Sequence, residues 1–205
     1  MTAGSPPLPT APLGLAFGGG NASTPKIEVF VDFACPFSGE LFRTIWLASR
    51  PGGPLYGRAQ FVLQLVVQPW HPQSEVMHEA VVAVRALAGS ELALSFAHFL
   101  WLAYADFVDA AVVSETRMQT AGRLAVLAES VTGVSAAELL PLLTHGDPSN
   151  WPTAQMLKWQ VRQHRTRGVH VTPTCFVYGI EATQISSSWT VKQWAAMLDE
   201  LGAAK

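Results

Sequence analysis

The sequence has few cysteines, few charged residues and no long apolar segment. Two cysteines among 205 residues are too few for the disulfide framework of small secreted domains. Charged residues make up 14% of the chain and the formal net charge is -2, so no basic surface is available for nucleic acid or an anionic membrane. No segment reaches the roughly 20 apolar residues that a transmembrane helix needs. Because 49% of the residues are apolar, we expect a globular protein that binds neither nucleic acid nor membrane.

Several catalytic and ligand-binding motifs are also missing. His78-Glu79 begins like the zinc-protease helix motif, but Val82 occupies the place of its second histidine. No other group of His, Cys, Asp and Glu has metal-ligand spacing, and Gly18-Gly19-Gly20 lacks the Lys-Ser/Thr of a phosphate loop. The nucleophile-elbow pattern Gly-x-Ser-x-Gly does not occur. We therefore expect no protein-only metal site, no bound cofactor and no serine hydrolase.

The pattern of apolar residues predicts an α/β protein with three parts. Residues 1–25 are rich in Pro, Gly, Ser and Thr, without the basic start of a secretory signal. They predict an irregular arm, with a short strand near residues 13–17, on an intracellular, cytoplasmic protein. Residues 26–74 and 169–205 predict the core: strand, helix and parallel strand, then two strands and a helix. Residues 75–168 predict an inserted helical domain.

Within these parts, five element positions matter below. Strands are predicted over residues 27–33 and 61–67, because both runs are β-branched and aromatic. In the insertion, one helix is predicted over residues 92–107. Near the end, a strand over 174–178 and a weaker strand over 182–187 are expected.

Cys35 is the residue most suited to chemistry. It lies between a predicted strand and a helix that Pro36 begins, since Pro fits the first helical position. As N-cap, its sulfur would face unpaired backbone N–H groups and the positive end of the helix dipole, which both favour the thiolate. This context predicts a nucleophile. The alternative is a buried structural cysteine on the same turn.

A second signal lies far downstream, where Thr172-Pro173 precedes an apolar strand. Proline cannot donate to a strand ladder. We therefore expect a cis-proline turn that presents its backbone at the edge of the sheet.

Together the two segments resemble the DsbA-like branch of the thioredoxin superfamily, a thioredoxin-like fold (βαβ…ββα) with an inserted helical domain. Residues 35–38, Cys-Pro-Phe-Ser, match the family's Cys-x-x-Cys position, and residues 171–174, Val-Thr-Pro-Thr, match its cis-proline loop. The resemblance covers roughly residues 25–204 and implies thiol–disulfide oxidoreductase activity. The substrate-binding residues that it implies are Pro36, Phe37, Thr172 and Pro173.

The sequence departs from this family at Ser38, which stands where the resolving cysteine would be. A hydroxyl cannot attack a mixed disulfide, so no internal Cys-x-x-Cys disulfide forms. The expected chemistry is monothiol: Cys35 is the nucleophile, and an external thiol resolves the mixed disulfide. Glutathione is then a co-substrate, and glutathione or protein thiols and disulfides are the expected partners. We also expect the Ser38 hydroxyl to donate a hydrogen bond to the Cys35 thiolate.

Four further residues have two interpretations each. Asp32 either moves a proton at the site or anchors the turn before Cys35. His71 follows the second strand, at the sheet end where sites of parallel strands gather; it either approaches Cys35 or is a surface-loop histidine. Trp70 either lines a groove or packs. Cys175 is expected to be a core cysteine in preference to a resolving thiol.

Three other functions remain open. The inserted-helix architecture resembles that of kappa-class glutathione transferases and hydroxychromene carboxylate isomerases, in which a serine or an equivalent residue at the helix start activates glutathione. Alternatively, the chain is a non-catalytic thioredoxin-like module that holds a partner in a groove around Trp70, Phe37 and Pro173. An iron–sulfur role, by similarity to monothiol glutaredoxins, is less favoured, because Pro36 and the helical insertion argue against it.

Overall fold

The structure, a computed structural model, describes residues 8–144, 146 and 151–203. Its centre is a five-stranded sheet with the order β1-β3-β2-β4-β5. β2 and β3 run parallel, and the other three neighbouring pairs run antiparallel. The strands are Leu15–Phe17 (β1), Lys26–Val31 (β2), Gln60–Leu65 (β3), Thr174–Val177 (β4) and Ile180–Glu181 (β5).

Helix α1 connects the two parallel strands, α8 closes the chain, and the others lie between β3 and β4. Short 3-10 helices cover Tyr104–Asp106 and Leu140–Leu143. None of the described helices is long and apolar enough to cross a membrane. The helices are Pro36–Ala48 (α1), Ser74–Ala88 (α2), Ser90–Leu102 (α3), Asp109–Val112 (α4), Arg117–Thr132 (α5), Ala136–Leu139 (α6), Trp151–Thr166 (α7) and Val191–Ala203 (α8).

Strand β2 is covered on both faces, which explains why its sequence is a continuous apolar run. Val29 belongs to the main core, whereas Phe30 on the opposite face packs with Phe176 in a second, smaller cluster. Arg167, just after α7, packs on that smaller cluster. Its guanidinium lies 4.1 Å from the Phe176 ring centroid and 2.7 Å from a carboxylate oxygen of Glu28.

The main core is continuous between the sheet and the inserted helices. Trp101 of α3 packs against Phe33 and Phe42, with ring centroids 4.8 Å away in each case. The same indole lies against Gly39 of α1, where an added Cβ would stand 2.6 Å from the Trp101 Cδ1 atom. The insertion therefore packs directly on the helix that follows Cys35.

The predicted α/β order with inserted helices is confirmed, but two predicted elements are wrong. The weaker strand over 182–187 is absent: Tyr178 and Gly179 turn with φ of 49° and 85°, so pairing resumes at once in β5. The helix over 92–107 ends at Leu102. The chain then tightens into a 3-10 turn, in which the N–H groups of Asp106 and Phe107 donate to the carbonyls of Ala103 and Tyr104, each at 3.0 Å.

The arm includes a sheet strand. β1 pairs with β3, and Leu15 and Phe17 are buried in the main core. Arg85 of α2 also donates to the carbonyls of Pro12 and Leu13. Residues 1–7 of the predicted arm, 145 and 147–150 of the predicted insertion, and 204–205 of the predicted core lie outside the described residues.

Candidate active site

Cys35 is the N-cap residue of α1, with an extended backbone (φ -93°, ψ 120°) and Pro36 directly after it. Its N–H donates to the Asp32 carbonyl at 3.0 Å, and its own carbonyl accepts the Gly39 N–H at 3.2 Å. The residue is 7% exposed. The sulfur therefore sits at the positive end of the helix, just below the surface.

The loop before β4 supplies the partner of this sulfur. The Thr172–Pro173 peptide bond is cis, and the Cys35 Sγ donates to the Thr172 carbonyl at 3.3 Å. Both loop residues are half-buried. A carbonyl acceptor stabilises the thiol, whereas the helix N-terminus stabilises the thiolate. A thiolate at this position would therefore no longer donate to the Thr172 carbonyl.

Asp32 is fully buried and joins three chain segments. Its Oδ1 accepts from the Ala34 N–H at 2.9 Å and the Ser74 hydroxyl at 2.8 Å, and its Oδ2 accepts from the Gln68 N–H at 3.2 Å. These bonds tie the turn before Cys35 to the end of β3 and the start of α2. The geometry shows a turn anchor; movement of a proton by Asp32 stays a prediction.

Ser38 is also fully buried, in the first turn of α1. Its hydroxyl accepts the Asp32 N–H at 3.3 Å. We expected this hydroxyl to donate to the Cys35 sulfur, but the hydrogen bonds of the described residues include no such contact. The side chain points instead toward the end of β2.

Trp70 and His71 lie in the loop between β3 and α2. Trp70 is exposed, and its ring centroid is 6.4 Å from that of His71. The His71 Nδ1 atom is 3.1 Å and 3.3 Å from the two carboxylate oxygens of Asp109. Gln73 donates to the same carboxylate at 2.9 Å and to the Phe107 carbonyl at 2.7 Å. The loop is thus fixed to the start of α4.

Asp109 and Tyr104 were not predicted as site residues. Partial burial raises the pKa of Asp109, but hydrogen bonds from Gln73 and His71 outweigh it and hold that pKa below its ordinary value. Burial raises the pKa of Tyr104, and negative charge at Cys35, Asp109 and Asp32 raises it further. Tyr104 is therefore within electrostatic range of all three groups.

Three large apolar side chains are exposed on the segments around Cys35. Phe37 is in the first turn of α1, Trp70 in the loop after β3, and Val171 directly before Thr172; each is more than half exposed. Exposed large apolar side chains on the segments around Cys35 are candidates for a binding surface.

Cys175 lies in β4, opposite Val29 of β2. It is 4% exposed, and neither cysteine is in a disulfide. Burial raises the pKa of its thiol to about 12. Cys175 is therefore a core residue, as expected. Among the described residues, no three His, Cys, Asp or Glu side chains are grouped so as to hold a metal ion.

The strand order and the inserted helices define the thioredoxin fold in its DsbA-like form. Solved structures agree. A Pseudomonas syringae protein assigned as a protein-disulfide isomerase is 23% identical, with 90% of this chain and 97% of that chain covered and a TM-score of 0.71. Chlamydia trachomatis DsbA is 15% identical, with 100% of this chain and 98% of that chain covered and a TM-score of 0.67. MdbA, a thiol-disulfide oxidoreductase from Corynebacterium diphtheriae, is 15% identical, with 87% of this chain and 84% of that chain covered and a TM-score of 0.62. No protein-family profile and no curated protein matches the sequence.

Proposed function

We propose that this chain is a thiol–disulfide oxidoreductase of the monothiol type, with Cys35 as nucleophile. The observation that carries the proposal is the position of Cys35, at the N-terminus of α1 and in contact with the Thr172 carbonyl. The same fold occurs in MdbA and Chlamydia trachomatis DsbA. The exposed side chains of Phe37, Trp70 and Val171 would bind the apolar part of a protein or peptide substrate.

The proposed reaction has two steps. The Cys35 thiolate attacks one sulfur of a disulfide; a new S–S bond forms to Cys35, the old S–S bond breaks, and the departing thiolate takes up a proton. An external thiol then attacks the mixed disulfide, forming a disulfide with the bound group and releasing Cys35. Glutathione or a protein thiol must supply this second step, since Ser38 cannot.

The test is reaction of the reduced protein with glutathione disulfide, followed by intact-mass analysis. Wild type and Cys175→Ser are expected to take up one glutathione per chain, and Cys35→Ser none. Reduced glutathione in excess should then remove the adduct. Absence of an adduct on Cys35 under conditions that modify a free cysteine would overturn the proposal.

One observation favours a second function, a non-catalytic binding module: the Cys35 thiol is buried and bonded to a carbonyl. In that case native Cys35 would resist both alkylation and glutathione disulfide, while an apolar peptide would still bind at Phe37 and Trp70. Substitution of Trp70 by Ala would then abolish peptide binding without any covalent chemistry. No observation favours the glutathione transferase alternative, because the Ser38 hydroxyl is fully buried.

A further inference from the structure

The proposed exchange needs a proton acceptor for the Cys35 thiol and a proton donor for the departing thiolate. Neither Asp32 nor Ser38 is placed to do both, because Asp32 accepts three hydrogen bonds and the Ser38 hydroxyl faces β2. The loop between β3 and α2 offers an imidazole, His71, whose side chain is 18% exposed.

Asp109 determines which ring nitrogen of His71 carries the proton. Since the carboxylate contacts Nδ1, Nδ1 carries a proton and Nε2 is the basic nitrogen of the neutral ring. The hydrogen bonds of the described residues give Nε2 no partner. Because Asp109 keeps its negative charge, helped by the Gln73 amide, it stabilises the imidazolium that forms when Nε2 takes up a proton.

The loop is positioned relative to Cys35 through Asp32. The Asp32 carboxylate accepts from Gln68 at one end of the loop and from Ser74 at the other, and the Asp32 carbonyl accepts the Cys35 N–H. Cys35 and His71 also follow the same end of two adjacent parallel strands, since Val31 of β2 pairs with Leu65 of β3. The ionisable group in contact with His71 is Asp109, and Asp32 is the carboxylate to which both ends of the loop are bonded.

We propose that His71 is the proton-transfer residue of the exchange site and that Asp109 is its positioning residue. The inference rests on the proposed function. The proton of the Cys35 S–H moves to the His71 Nε2, giving thiolate and imidazolium. The thiolate attacks the disulfide, the Cys35–S bond forms as the S–S bond breaks, and the imidazolium proton passes to the departing thiolate. His71 is then neutral again, Cys35 is oxidised to the mixed disulfide, and the departing sulfur is reduced to a thiol.

The experiment compares two disulfides that differ in the need for a proton. Glutathione disulfide releases an ordinary alkyl thiolate, whereas dithiobis(nitrobenzoate) releases an acidic aromatic thiolate that departs without one. Reaction rates with Cys35 are measured against pH for wild type, H71Q, D109N and the control D106N. Asp106 lies three residues before Asp109, both residues are exposed, and the carboxylate that contacts His71 is that of Asp109.

The H71Q variant is expected to react more slowly, by about a hundredfold or more, with glutathione disulfide at neutral pH, and its deficit should shrink as the pH rises. The loss with the aromatic disulfide should be clearly smaller. The D109N variant should show the same pattern with a smaller loss, and D106N should match wild type. Equal losses with both disulfides, or a wild-type rate and pH profile in H71Q, would overturn the inference.

Failure of the inference and failure of the proposed function give different results. If wild type forms no mixed disulfide, the proposed function is wrong. If wild type reacts and H71Q reacts identically, only the role of His71 is wrong. Urea unfolding of each variant tests for a merely structural effect. Such an effect would lower the free energy of unfolding and slow the reaction of Cys35 with both disulfides equally.

Discussion

Glu79 of α2 is an acidic residue in a place where its charge is costly. Its side chain is 2% exposed, and it pairs with Arg117 of α5. Burial raises the pKa of Glu79 to about 8 from the ordinary value of 4.5; the charge of Glu75 adds to this rise, and Arg117 opposes it. The folded protein therefore holds a proton on Glu79 that the unfolded chain releases at much lower pH.

The direction of the effect on stability follows from proton binding. Between pH 4.5 and about 8 the folded state binds more protons at this site than the unfolded state, so the free energy of unfolding falls as the pH rises. One pKa unit corresponds to about 1.4 kcal/mol, so Glu79 lowers the stability by roughly 3–5 kcal/mol across this window. Above the folded pKa no further loss is expected from this residue.

Glu79→Gln keeps the shape and hydrogen-bonding capacity of the protonated acid but cannot ionise. Urea unfolding at pH 5, 6.5 and 8 should show that the stability of the variant, relative to wild type, increases steadily with pH. The control Glu91→Gln removes an exposed acid paired with Arg50 and should show a small, nearly constant difference. A Glu79→Gln variant that is less stable than wild type at pH 8, with no deficit at pH 5, would refute the reasoning, because Glu79 would then be a stabilising anion.

Three further substitutions test the site and its support. Ser38→Cys supplies the missing thiol and should form an internal disulfide with Cys35 under mild oxidation, seen as loss of both free thiols; persistence of the two thiols would contradict the alignment of residues 35–38 with a Cys-x-x-Cys. Gly39→Ala places a Cβ against Trp101 and should lower the unfolding free energy by about 1–3 kcal/mol, whereas an unchanged urea midpoint would show that the contact relaxes freely. Asp32→Asn places an amide N–H where a carboxylate oxygen now accepts a hydrogen bond from a backbone N–H or a hydroxyl, and should lower the unfolding free energy by about 1–3 kcal/mol in urea; a stability equal to wild type would argue against Asp32 as the anchor of the turn.

The fold could be predicted because its decisive signals are local. Pro36 and the helical spacing behind it define the start of α1, and the apolar runs of β2 and β3 indicate parallel strands joined by that helix. The two errors lie at the ends of elements. Apolar spacing continues to residue 107, but after Leu102 the chain forms a 3-10 turn instead of further α-helix. Apolar spacing does not distinguish these two kinds of turn, because both bring residues i and i+3 to one side.

The candidate site divides in the same way. Cys35 and Thr172-Pro173 are recognisable from neighbouring residues, and the structure brings them to 3.3 Å between Sγ and the carbonyl oxygen. Asp109 and Tyr104 carry no motif, and they reach the site because the segment after α3 folds back on the loop that holds His71. The spacing of 38 residues between His71 and Asp109 has no periodic meaning in a helix or a strand. A residue that acts through such a contact becomes visible only in three dimensions.

The buried Ser38 has a consequence for how the natural partners of this protein can be found. In a dithiol enzyme the second cysteine expels the bound substrate within the same molecule, so an engineered variant is needed to capture it. On the proposed function, this chain has no second cysteine at position 38 to release the substrate. The lifetime of its covalent complex therefore depends on the concentration of external thiol. If cells are lysed into an alkylating agent, free thiols are blocked and the mixed disulfide between Cys35 of the wild-type protein and its substrate is preserved. A reductant would then release the substrate. Substrates could then be identified from their covalent complexes with the wild-type protein.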